Sequence, residues 1–231
     1  MLAAALAFAL AAAPVEVLVV VPLCDGARLA CGNGALGDPR SLDGNLYWGA
    51  RFGAERFLKN RSGITVTESR PGAAPVLREL HLVRRAAKGE REVRATLVAF
   101  DGERIDDALA YFIDAVRLRR ADLVVWAGHD RLMDVAAPEL ERASRPASVV
   151  VLACESERYF GPTLDAIGAR AVALTRTFMA PEGYLLDALL VNVARNGPDE
   201  RELLRQALVG AYARWQKIST KSATTVFSRL E

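Results

Sequence analysis

ADLVVWAGHD (residues 121–130) and ASVVVLACES (residues 147–156) decide how this chain is read. Leu123–Trp126 and Val149–Leu152 are short apolar runs, rich in β-branched residues and bounded by small or polar ones. That is the pattern of strands covered on both faces, as in a parallel sheet. The segment between them, Arg131–Arg145, is long enough for a crossover helix. A strand–helix–strand unit brings both strand ends to one edge of the sheet. His129 and Cys154 are therefore expected side by side at the carboxyl edge, where open α/β sheets bind ligands.

Outward from this stretch the same alternation continues. Val15–Val21, broken only by Glu16, reads as a central strand. Pro22–Arg40 is a long turn-rich loop with Gly26, Gly32, Gly34, Gly37 and Pro39. Its Gly-Asn-Gly lacks the Gly-Lys-Ser/Thr of a phosphate-binding loop. Asn45–Asn60 carries a helical pattern that Asp43 or Asn45 would cap. Ile64–Thr67, Leu77–Arg84 and Arg91–Phe100 are strand-like, with Val93, Ala95, Leu97 and Ala99 on one face and His81 as a half-exposed structural histidine. Ile105–Leu118 is amphipathic, with Ile105, Leu109, Phe112, Ile113 and Val116 on one stripe. After the central stretch, Gly161-Pro162 is expected to open a short helix and Ala171–Leu174 to form a brief strand. A helix is expected from Pro181 to about Arg195, and a last one, capped by Asp199, to about Lys217. Ile218–Glu231 reads as a strand or an extended arm.

The 231 residues suit one α/β domain, residues 14–231, and 52% apolar content supplies its core. A net charge of +2 argues for neither a nucleic-acid nor an anionic-membrane partner, and Arg84-Arg85 and Arg117–Arg120 read as solvated ends of elements. Residues 1–13, MLAAALAFALAAA, are too short to span a bilayer. They fit the hydrophobic core of an export signal, with an Ala-rich terminal helix as the alternative. Export would put the chain in the periplasm or outside the cell; without it the chain is cytoplasmic. Of three cysteines, Cys24 and Cys31 could pair across a short loop and leave Cys154 as the odd thiol, or all three could be unpaired.

A cysteine beside a histidine is a nucleophile with its base: the thiolate attacks and the imidazole takes the proton. Gly128 and Ala153 are small enough for a substrate to approach the backbone, so N–H groups at Gly128 and Cys154 are candidates to hold an oxyanion. The plainer alternative is a strand cysteine and a loop histidine. No metal-ligand spacing is present, and no cofactor is called for.

A hydrophobic run ending in a His-Gly pair, followed by a second ending in Ala-Cys or Gly-Cys, resembles the caspase-like cysteine peptidases, which include the caspases, metacaspases, gingipains and CHAT domains. Here the runs are LVVWAGHD and VVVLACES, in that order. The segment GARAVALTRTFMAPEGYLLDALLVNVARNGPDERELLRQAL is similar in layout to the CHAT domain. The resemblance implies a six-stranded caspase-like α/β fold, a three-layer sandwich around a mostly parallel sheet. It implies peptide-bond hydrolysis of a peptide or protein substrate, with His129 as base and Cys154 as nucleophile. In the family a glycine usually follows the histidine; here Asp130 follows and Gly128 precedes. The alternative it leaves is an inactive relative that binds a peptide or partner at the same edge. Relatives that prefer basic residues carry an acid in the specificity pocket, and Asp25, Asp130 and Glu155 are the candidates for a charge-assisted bond to Lys or Arg.

Overall fold

The computed structural model describes residues 13–230, so the leader expected over residues 1–13 lies, apart from Ala13, outside the described residues. One seven-stranded sheet organises the rest. Its strands in chain order are β1 (Val15–Pro22), β2 (Ile64–Arg70), β3 (Val76–Arg84), β4 (Val93–Phe100), β5 (Leu123–Ala127), β6 (Ser148–Leu152) and β7 (Arg170–Ala173). The spatial order is β2-β3-β4-β1-β5-β6-β7. β4, β1, β5, β6 and β7 run parallel, while β2 and β3 are antiparallel additions beside β4. The sheet has seven strands rather than six because residues 64–84 fold back as this β2–β3 hairpin.

Among the described residues six helices accompany the sheet: α1 (Ala54–Lys59), α2 (Ile105–Arg117), α3 (Ser156–Ile167), α4 (Gly183–Asn196), α5 (Arg201–Gln216) and α6 (Thr220–Thr224). Alternation along β1 divides the core. Val15, Val17, Val19 and Val21 face α1, α4 and α5, whereas Leu18 and Val20 face α2 and α3. Both faces of the central strands are dry, which is why they read as unbroken apolar runs rather than alternating ones. The stripe expected on α2 is buried in full. Phe112 on α2, Trp126 on β5 and Phe160 on α3 meet with ring centroids 5.6–5.8 Å apart, directly behind the carboxyl edge. Among the described residues no helix is long and apolar enough to cross a membrane.

Several expected elements differ. Arg131–Arg145 forms no crossover helix: a single 3-10 turn, Arg131–Met133, leads into irregular chain. Pro138 and Pro146 push their preceding residues toward extended backbone and withhold two N–H donors. The helix expected over Asn45–Asn60 begins only at Ala54, with Gly53 at its cap, and neither Asp43 nor Asn45 caps it. Residues 42–53 are tight turns instead: a Cβ on Gly49 would lie 2.1 Å from the Leu42 carbonyl oxygen, and one on Gly53 would lie 2.4 Å from the Trp48 backbone. α3 starts at Ser156, not at Gly161, and carries Pro162 inside it on the solvent side, where the carbonyl left without an N–H can be hydrated. Asp199 does not cap α5; its carboxylate takes the Ser148 hydroxyl, and Glu200 holds the cap position. The end of the chain forms the short α6 and an isolated bridge between Thr175 and Phe227. His81 is structural, its Nδ1 3.2 Å from the Thr96 hydroxyl on the neighbouring strand.

Cys24 and Cys31 form a disulfide that closes the loop after β1. Gly26 and Gly37 let the two limbs of that loop touch, the Gly26 N–H donating to the Gly37 carbonyl at 2.7 Å. Replacing both cysteines by serine frees a closed loop of this length in the unfolded chain and is expected to lower stability by about 2 kcal/mol. Urea denaturation of the oxidised protein beside the double variant measures it.

Candidate functional site

The parallel register fixes where the chemistry sits. Ala127 pairs with Leu152, so His129 and Cys154 each lie two residues beyond paired strand ends, on adjacent strands and at one edge. Gly128 makes the approach possible. A Cβ there would lie 2.7 Å from the Pro22 ring at the end of β1. Its N–H donates to the Leu152 carbonyl at 3.3 Å and is not free to hold an oxyanion.

The side chains then part. Along β6, Val150 and Leu152 face the α4–α5 side, and Cys154 continues that alternation. Its thiol donates to the Met179 carbonyl at 3.6 Å and accepts the Met179 N–H at 3.4 Å. The charge on a Cys154 thiolate would also be felt by Tyr47 and Tyr212, whose hydroxyls burial already makes reluctant to ionise. His129 turns the other way. Past Gly128 the chain folds back so that the Trp126 indole N–H donates to the His129 carbonyl at 3.0 Å. The imidazole enters a crevice on the α2 side lined by Leu23, Asp25, Ile105 and Asp134. There its Nε2 lies 2.7 Å from an Asp134 carboxylate oxygen. Arg131 donates to the same Asp134 oxygen at 3.4 Å and clamps Asp106 of α2 with two bonds of 2.7 and 3.1 Å. No hydrogen bond joins the imidazole to the thiol.

Asp130 is near enough for its charge to act on Cys154 and to be felt from Asp134. It is fully buried, and its Oδ1 accepts the Leu132 N–H at 3.0 Å, while its Oδ2 has no partner. Burial above all, with smaller contributions from Asp134 and Glu155, pushes its pKa up to about 7 despite two backbone N–H donors. The Cys154 thiol is likewise pushed up, first by burial and then by the charges of Asp130 and Glu155, with the Met179 N–H opposing. Glu155 sits at the sharp passage from β6 into α3 with φ of 47°, a left-handed conformation that costs a non-glycine residue energy. Its N–H donates to Thr177 at 3.1 Å, tying the passage to the segment that carries Met179.

Of the expected substrate-binding acids, Asp130 and Glu155 adjoin Cys154 and Asp25 does not. Asp25 accepts the Ala27 N–H at 3.0 Å and pairs with Arg28, holding the disulfide loop against the His129 crevice. Met179, Tyr47, Tyr212 and Asp134 are the site residues not named from the sequence. Asp134, five residues beyond His129, is the one a search for a nearby carboxylate would have met; the other three arrive from distant segments. Among the described residues no group of three or more His, Cys, Asp or Glu side chains is arranged to hold a metal ion. No family model matches this chain, and neither a curated protein nor a solved structure does.

Proposed function

We propose that the chain is a caspase-like domain that binds a peptide or protein segment at the carboxyl edge of β5 and β6, with its Cys/His pair disengaged. The observation that carries this reading is the separate engagement of the two groups: the thiol with the Met179 backbone, the imidazole with Asp134. Reactive cysteines sit in electropositive surroundings that favour the thiolate. Cys154 has burial and two carboxyls around it, which favour the thiol. The charge at this edge suits a basic partner: the part-exposed Glu155 carboxylate would accept a charge-assisted bond from a Lys or Arg side chain.

A second reading, hydrolysis, is favoured by the register equivalence of residues 129 and 154. In it His129 leaves Asp134 and takes the thiol proton, Cys154 attacks the peptide carbonyl, the amine departs with that proton, and water releases the acyl group. Labelling with iodoacetamide across pH separates the two. The binding reading expects Cys154 to react appreciably only above the ordinary thiol value of about 8.5, at a rate that His129→Ala leaves unchanged. Rapid labelling near neutral pH, slowed by His129→Ala and accompanied by cleavage of Lys- or Arg-containing peptides, would establish the peptidase instead. The Cys24–Cys31 disulfide supports a further part of the proposal, that the chain works in an oxidising compartment outside the cytoplasm.

A further inference from the structure

Away from the carboxyl edge, α4 and α5 enclose a groove of about 380 Å³, within the range of small-molecule sites. We propose that this groove binds a small aryl carboxylate that carries a hydrogen-bond donor at the end remote from its carboxylate. One wall is aromatic: the part-exposed Trp215, with the buried Tyr184 stacked behind it, centroids 5.9 Å apart and planes 14° from parallel. The floor is open where Gly210 sits on α5, since a Cβ there would meet nothing within 4 Å. Ala207 and Ala211 flank it. A planar ring fits against such a wall over such a floor.

Charge selects the ligand's sign. Three arginines line the groove. Arg61 is bound to Asp187 at 2.9 Å and Arg195 to Glu90 at 2.8 Å. Among the described residues Arg214 has no carboxylate partner; its guanidinium lies over the Trp215 ring, 5.6 Å from the centroid. A guanidinium fork beside an aromatic face is suited to a carboxylate attached to a ring. At the other end, Asn192 is 7% exposed, lines the groove, and has an Oδ1 without any partner. A buried acceptor left unpaired is costly, and a ligand O–H or N–H would satisfy it. Arg214 lies one turn beyond Gly210 on α5. Asn192 lies on α4, which runs antiparallel to α5 across the short connection Gly197–Glu200. The two anchors therefore stand at opposite ends of the open floor, and the ligand must present its donor and its charge at opposite ends of one ring.

The test is calorimetric titration of the intact protein with 4-hydroxyphenylacetate, phenylacetate and 4-hydroxyphenylethylamine. The expected result is saturable one-to-one binding of the first, about tenfold weaker binding of the second because the Asn192 acceptor stays unpaired, and none of the third. Gly210→Leu should abolish binding; because leucine favours a helix more than glycine, its unfolding midpoint should not fall. Arg214→Gln should weaken binding at least about tenfold. Asn192→Ala should erase the difference between the hydroxylated and plain acids. Absence of saturable binding, equal binding of the amine, or binding that survives both Gly210→Leu and Arg214→Gln would overturn the proposal.

Discussion

Asp130→Asn is expected to stabilise the protein by up to about 4 kcal/mol at and above neutral pH, and by almost nothing below pH 4. Folding raises this carboxyl from its ordinary value of 3.8 to about 7 because the side chain is buried with one oxygen unpartnered. Between those values the unfolded chain has released the proton and the folded chain still holds it. Stability is therefore greatest on the acid side and falls by about 1.4 kcal/mol per pH unit as pH rises. It levels off above about 7, where both states are ionised and the buried charge stands at its full cost. Asparagine keeps the oxygen that accepts the Leu132 N–H and has no charge to bury. Its new amide donors need partners, so the full figure is an upper bound. Urea titrations of both proteins at a series of pH values should give curves that coincide in acid and diverge through neutrality. Parallel curves would mean that Asp130 is ionised at no cost.

Strand burial and strand direction were readable from the sequence; contacts between distant segments were not. The sheet was legible because its central strands are buried on both faces, and Leu123–Trp126 and Val149–Leu152 have no other stable destination. The shared edge of His129 and Cys154 followed from strand direction alone. The side-chain directions did not. The reversal after Gly128 depends on the Trp126 indole reaching the His129 carbonyl and on Arg131 bridging Asp134 to Asp106, which are contacts between separate elements. The crossover without a helix, with Val135 and Leu140 packed beneath α2 and α3, was hidden because residues 131–145 are compatible in length with a helix. The thiol's own surroundings come from the turn at Tyr47, the strap at Met179 and α5 at Tyr212, and no local pattern joins those three.

Asn45 illustrates the same point and carries the other large expected effect. Read locally it is a helix cap; in the fold it is fully buried and makes four hydrogen bonds. Its Oδ1 accepts the Cys24 and Tyr47 N–H groups at 3.0 and 3.1 Å, and its Nδ2 donates to the Cys24 and Asp38 carbonyls at 2.8 and 2.9 Å. One side chain thus ties the end of β1 to the disulfide loop and to the turn that carries Tyr47 toward Cys154. Asn45→Ala strands the buried N–H and carbonyl of Cys24 and loosens the part-buried bonds to Tyr47 and Asp38, and is expected to cost about 3–5 kcal/mol. Asn45→Asp should be worse at neutral pH, because a carboxylate cannot donate to the two carbonyls and its charge is buried. Protonation in acid restores one donor, so this variant should regain stability as pH falls, the direction required when burial raises a carboxyl's pKa. In both variants the freed turn should expose Cys154 to iodoacetamide faster than in the parent protein. Loss of stability with no change in labelling would mean that Asn45 secures the β1 end alone, and that the wall beside the thiol is held by Met179 and Tyr212.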